Sequence, residues 1–228
     1  MDTDVVWESR RGYGRKLVHP MITASLSLLC GFILSASQAS AQIYTPKPGE
    51  SVLKLEVEGR GNIFIRLHPK EAPKTVRHIV ALARQGFYSR QRFHKVVRTP
   101  KPFLVQIGDP SSKSGDIAAA GGAGTGSRIP YEETGFKNVL GAVGLIRNLD
   151  DMNSGDCQFY MLLDRSTFLD GNYTVFGQIV VGLDVLKKIQ LGDRLTGVEV
   201  LTGEPIRTII KPTAMLTAHP SGRLRLVD

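Results

Sequence analysis

Few residues in this chain are of types that carry chemistry. The sequence holds five histidines and two cysteines, and His68, His78, His94 and His219 lack the spacing to cysteine or carboxylate that builds a tetrahedral metal site. Neither a metal nor another cofactor is expected. Cys157 and His94 are a pair that could in principle act as nucleophile and base. Residues 121–126 are glycine-rich, but they lack the lysine and hydroxyl residue of a phosphate-binding loop and read as a surface loop. Polar side chains set among apolar runs are what remain: Arg92, Lys95 and Arg98 around residues 93–97, and Gln106, whose amide can donate and accept at once. On a strand, Arg92 and Lys95 point to opposite faces. Taken alone, Gln106 fits a polar residue on the solvated face of a strand.

A folded core has to hold these positions. The 228-residue chain, 42% hydrophobic and 22% charged, suits one globular domain with an appendage. The appendage is N-terminal. Arg10, Arg11, Arg15 and Lys16 precede an uncharged, mostly apolar run over residues 21–36, and Ala39-Ser40-Ala41 follows with small residues at the third and last positions before a cut. That order predicts a signal peptide over residues 1–41, cleaved after Ala41. Its apolar run is shorter than the roughly 20 residues that span a bilayer, and Arg10-Arg11 adds a weak twin-arginine pattern. If Cys30 leaves with the signal, Cys157 stands alone and no intramolecular disulfide is possible. The mature chain is then expected in the periplasm, as a soluble monomer with no stable membrane span. Its formal charge, +8 for the whole sequence, is +7 beyond residue 41. A solvated basic surface accounts for this charge, and no nucleic-acid partner is expected, because no aromatics interleave the cations.

Residues 42–50, with Pro46, Pro48 and Gly49, read as a linker. Residues 52–57 and 63–67 alternate in period two around a glycine-containing turn, which predicts a hairpin. From Pro73, the apolar positions Val76, Ile79, Val80 and Leu82 recur at helical spacing until Gly86. Short apolar runs at 93–97, 103–107, 139–146, 159–163 and 175–180 predict strands, with a second helix over 182–190 and a last strand over 206–210. Many short strands with few helices indicate a barrel or sandwich.

Four segments then make the chain recognisable: Ala72-Pro73-Lys74-Thr75-Val76; Phe93-His94-Lys95-Val96-Val97; Phe103-Leu104-Val105-Gln106-Ile107-Gly108-Asp109-Pro110; and Cys157-Gln158-Phe159-Tyr160 followed by Phe168-Leu169-Asp170-Gly171 and Val175-Phe176-Gly177. Over residues 51–216 the chain resembles the cyclophilin family of peptidyl-prolyl isomerases, leaving residues 217–228 as a tail. The resemblance implies a mainly β fold, a closed eight-stranded antiparallel barrel capped by two helices, with its interior filled and its ligand groove outside. Lys95 then stands where the family carries its catalytic arginine, and Gln106 where a glutamine positions the substrate carbonyl and the cation. The resemblance makes Phe103, Leu104, Tyr160, Phe168 and Leu169 walls of a proline pocket, with Ile146, Arg147, Gln158 and Tyr173 as further substrate contacts. It also makes Cys157 a small residue packed beside Gln158.

The chain departs from the family pattern in several places. The link over residues 98–102 is three residues longer than usual, and Asp150-Asp151 adds an acidic residue to a loop. Phe168 stands where cyclosporin-sensitive relatives have tryptophan, and Tyr173 where many eukaryotic relatives have histidine, so weak cyclosporin binding is expected. The implied function is isomerisation of Xaa-Pro bonds in proline-containing polypeptides, here assisting the folding of exported proteins. Lysine keeps the charge of the family arginine but loses its rigid fork. That swap leaves a second reading, a proline-peptide binding module or chaperone with weakened activity.

Overall fold

Period-two alternation becomes a hairpin in the computed structural model, which describes residues 43–203. β1 (Ser51–Val57) and β2 (Gly61–Leu67) pair antiparallel, with Leu53 opposite Ile65 and Leu55 opposite Ile63. Directly opposed residues share a face, so both pairs bury together. The helix α1 (Pro73–Arg84) starts on a proline, whose missing N–H would have had no helical partner anyway, and buries Thr75, Val76, Ile79, Leu82 and Ala83. Ala72 has no side chain to cap it. The Glu132 carboxylate does so from a distance, accepting the backbone N–H of Lys74 and of Thr75, each at 2.9 Å, and the Thr75 hydroxyl at 2.8 Å.

The remaining strands are β3 (Lys95–Val97), β4 (Leu104–Ile107), β5 (Ala142–Leu145), β6 (Phe159–Leu162), β7 (Val175–Val181) and β8 (Leu195–Thr202), with the helix α2 (Leu183–Lys188) between the last two. β8 runs the length of β1, a strand that the pattern of apolar runs does not predict. Gly197 interrupts the run, and its apolar residues beyond Leu195 are only half-buried. The strand expected over 206–210, the signal peptide over 1–41 and the tail over 217–228 lie outside the described residues.

All pairings are antiparallel, and the sheet order is β3-β4-β6-β5-β7-β2-β1-β8. The expected closed barrel is therefore corrected: the fold is an open, curled half-barrel whose edge strands β3 and β8 form no ladder with each other. β3 pairs on one side only, with β4. The irregular segment ahead of it bridges the seam instead. Arg90 and Phe93 donate backbone N–H bonds to Leu195 and Asp193, and Gly192 and Leu195 donate back to Phe93 and Gln91. On the other side of β8, the ion pairs Arg60–Asp193 and Arg194–Glu58 tie its start to the β1–β2 turn.

Inside the curl, Leu53, Ile65, Val105, Ile107, Val143, Phe159, Met161 and Phe176 are fully buried. The Phe159 ring meets Tyr88 and Phe176 edge-on. A second, smaller apolar cluster occupies the outer face of β4, β5 and β6.

A short 3₁₀ turn, Pro110–Ser114, follows β4 and is capped by Asp109, which is fully buried. Asp109 Oδ1 accepts from the Ser111 N–H at 2.7 Å and hydroxyl at 2.6 Å, and Oδ2 accepts from Gly121 N at 2.6 Å and Ala123 N at 2.9 Å. Burial alone would raise its pKa. These donors outweigh burial and hold the carboxyl below the usual range. Gly108, just before it, has φ +116°, and a Cβ there would overlap the Cys157 carbonyl where β6 is entered. His94 lies against the glycine-rich loop and is 9% exposed. Burial holds its pKa below 6.5, against the opposing pull of Asp109; Gln158 and the Arg92 backbone face the ring without completing a hydrogen bond to either nitrogen.

Two outcomes follow for stability. Replacing Gly108 by Ala combines a strained positive φ with backbone overlap, and we expect a loss of about 3 kcal/mol, read from the urea midpoint. His68, stacked on Phe136 at 4.0 Å between centroids, is likewise held below 6.5 by burial. The unfolded chain therefore takes up protons at His94 and His68 before the folded one does. The contribution of these histidines is complete above pH 6.5 and is lost as pH falls below it, and that of Asp109 is lost as pH falls below 3.8, where the carboxyl is protonated in the unfolded chain. Urea midpoints against pH test this, and His94→Gln should shallow the upper decline only.

Candidate functional site

The outer face of the sheet is built by register. Lys95 of β3 lies opposite Gln106 of β4, Gln106 opposite Tyr160 of β6, and Tyr160 opposite Gly144 of β5. A cation, an amide and an aromatic ring thus stand in one row across three strands. Two residues along, Val97, Leu104 and Leu162 form a parallel apolar row. Leu104, Tyr160 and Leu169 are buried in the outer cluster, and Phe103, Ile146 and Tyr173 pack on its margin. Phe168, at 68% exposed, overhangs the cluster and meets the Phe103 ring at 5.4 Å. The structure therefore brings most of the residues expected in the groove to one outer face.

Gln106 is buried and its amide orientation is imposed from behind. Gln158 Nε2 donates to the carbonyls of Ala123 at 2.8 Å and Gly121 at 3.2 Å and to Asp109 Oδ2 at 3.4 Å, all acceptors. Gln158 must therefore turn its Oε1 the other way. It accepts there from Gln106 Nε2 at 2.8 Å, which leaves Gln106 Oε1 as the acceptor available to the groove. Asp109 belongs to a segment quoted above, but its part in this relay was missed. The signal was present in Asp109-Pro110-Ser111, a helix-capping pattern.

Lys95 is exposed and forms none of the ion pairs among the described residues. Its two arginine neighbours are engaged elsewhere. Arg92 Nη1 donates to the Gly192 carbonyl at 2.8 Å, and Arg98 Nη2 to the Ile189 carbonyl at 2.7 Å. Arg147 sits with its guanidinium carbon 4.8 Å from the Tyr173 ring centroid and donates to the carbonyls of Asn172, Asn148 and Leu149, each at 2.8 Å. It thereby ties two groove-edge loops together. Burial pushes the Cys157 thiol up to about 12, so it is no thiolate nucleophile.

Beside the cluster, a cavity of about 390 Å³ is lined by the glycine-rich loop, Ile146, Arg147 and Gln158. It adjoins the groove without covering the Lys95 row. Thr125 and Gly126 of that loop are held by the Asp156 carboxylate, which His78 of α1 approaches at 3.4 Å.

The chain has relatives among known proteins. The family model described as cyclophilin type peptidyl-prolyl cis-trans isomerase/CLD matches residues 52–210. A probable peptidyl-prolyl cis-trans isomerase of Brucella suis is 33% identical over 174 residues, covering 74% of this chain and 82% of that protein. A peptidyl-prolyl cis-trans isomerase of Arabidopsis thaliana is 32% identical over 187 residues, covering 81% and 80%. The fold is shared with a cyclophilin-type isomerase of Cryptosporidium parvum at a TM-score of 0.57 and 19% identity, over 68% of this chain and 99% of that one. The chain belongs to the cyclophilin-type peptidyl-prolyl cis-trans isomerase family.

Proposed function

We propose that the outer cluster receives the proline ring, that Lys95 and Gln106 perform the isomerisation, and that the protein does so as an exported folding catalyst. The observation that carries this reading is the Lys95–Gln106–Tyr160 row, a donor and an oriented acceptor beside an aromatic floor.

The reaction is rotation about a bond whose barrier is about 18–20 kcal/mol, slow enough uncatalysed to take tens to hundreds of seconds or so at Xaa-Pro. No covalent intermediate is needed. As the bond twists, conjugation is lost and the prolyl nitrogen becomes pyramidal and basic. A Lys95 N–H aimed at that lone pair stabilises the twisted state far more than the planar one, and only such a difference raises the rate. Gln106 Oε1 accepts a second ammonium proton and so directs Lys95. Phe103, Leu104, Tyr160, Phe168 and Leu169 hold the ring; Ile146, Arg147, Gln158 and Tyr173 contact the flanking peptide, for which the adjoining cavity gives room. Because Lys95 is exposed, its ammonium stays hydrated and only loosely directed, a weaker arrangement than a forked guanidinium.

Two measurements test this. Lys95→Ala should lower kcat/KM on an Xaa-Pro peptide by about a hundredfold, on the scale of losing one preorganised donor, and Lys95→Arg should raise it. Peptide binding with no acceleration by the wild-type protein would favour the non-catalytic binding module instead. The export reading rests on the order of basic, apolar and small residues over 1–41. N-terminal sequencing of the periplasmic fraction should then begin at Gln42; full-length chain confined to the cytoplasm would overturn it.

A further inference from the structure

The groove's floor and one wall come from different parts of the chain. Tyr160, the floor, is on β6, whereas Phe168 and Leu169 belong to the short turn Thr167–Leu169. They are joined through Asn138, from the segment ahead of β5. The Tyr160 hydroxyl donates to Asn138 Oδ1 at 2.6 Å, and Asn138 donates from N at 2.7 Å and Nδ2 at 3.0 Å to Asp170 Oδ1, next to Leu169. The Asn138 carbonyl accepts from Ser166 N at 2.8 Å, at the other end of the same turn.

This chain of bonds has one arrangement. Asp170 can only accept, so it claims the Asn138 Nδ2 and turns Oδ1 toward Tyr160. Tyr160 and Asn138 are each 1% exposed, so the hydroxyl has no water to replace its partner, and breaking the bond strands a buried donor. The ring cannot retreat either. Gly144 stands directly opposite, and the tip of the ring fills the place of the Cβ it lacks. The Tyr173 ring meets it at 5.8 Å and 84°.

We propose that Asn138 is a positioning residue: through Tyr160 and Asp170 it fixes the distance between the floor and the Leu169 wall, and so makes the groove selective for a five-membered imino-acid ring. This rests on the outer cluster being the proline site. A pocket that cannot widen rejects the extra methylene of a pipecolyl residue, a discrimination of roughly 10- to 200-fold for one methylene. A pocket free to widen does not.

The test compares kcat/KM on matched Xaa-Pro and Xaa-pipecolyl peptides. Wild type should favour proline by at least about tenfold. Tyr160→Phe keeps the ring and removes the bond; it should raise KM for proline severalfold and bring the two substrates within about threefold of each other. Asn138→Leu should do the same, the double variant no more, and Asp170→Asn, which keeps an acceptor oxygen, should retain wild-type selectivity. Should Tyr160→Phe not fold, Asp170→Ala at the half-exposed end of the chain reads the same ratio. Wild-type selectivity in the folded bond-breaking variant overturns the proposal, as does a wild type that fails to discriminate. Tyr160→Ala separates the two readings. If it abolishes activity while Tyr160→Phe leaves selectivity intact, the site stands and the positioning role falls; if it leaves activity intact, the site itself is misassigned.

Discussion

The site depends on one buried carboxylate. An ionised group withdrawn from water costs several kcal/mol or so unless it is surrounded by donors, and Asp109 meets that demand by recruiting the Gly121 and Ala123 N–H groups and both donors of Ser111. In doing so it settles matters well beyond its own position. The glycine-rich loop is drawn against the end of β4, its carbonyls are set in place to take the Gln158 amide, and the direction of that amide decides which end Gln106 shows to the groove. A negative charge therefore dictates the polarity of an uncharged side chain, with one glutamine in between.

The cation at the site has no comparable support. Gln106 is held by a line of fixed partners, while Lys95 stands in solvent at the short edge strand β3. In the mechanism proposed above, a rigidly held acceptor beside a donor on a flexible stem places most of the reorganisation on that donor. The neighbouring arginines do not relieve it, because both are committed to backbone carbonyls on the β8 side of the seam and at the end of α2.

What the sequence disclosed follows from the range of the interactions involved. The β1–β2 hairpin and α1 were legible because their signals are local: strict alternation around a turn, and helical spacing behind a proline. The family motifs placed the groove because they lie on β3, β4 and β6, whose register the motifs carry with them. β8 escaped notice because it packs one partly buried face on β1 and lacks clean alternation. The closed barrel was wrong because β3 pairs on one side only, with β4, and it is the irregular residues ahead of it that meet β8, an arrangement that apolar runs do not encode. Asn138 was invisible for another reason. Its partners are 22 and 32 residues away, and an asparagine followed by apolar residues has no signature of a bridge.

The same strands serve two masters on alternate positions. Val105 and Ile107 of β4, and Phe159 and Met161 of β6, face the interior, while Leu104 and Gln106, and Tyr160 and Leu162, face the groove. The two faces pack into separate apolar clusters. The groove side chains therefore take up none of the interior volume. Gly144 is where that separation ends, because there the groove ring presses directly on the sheet backbone. A lineage that enlarges residue 144 must first give up the aromatic floor.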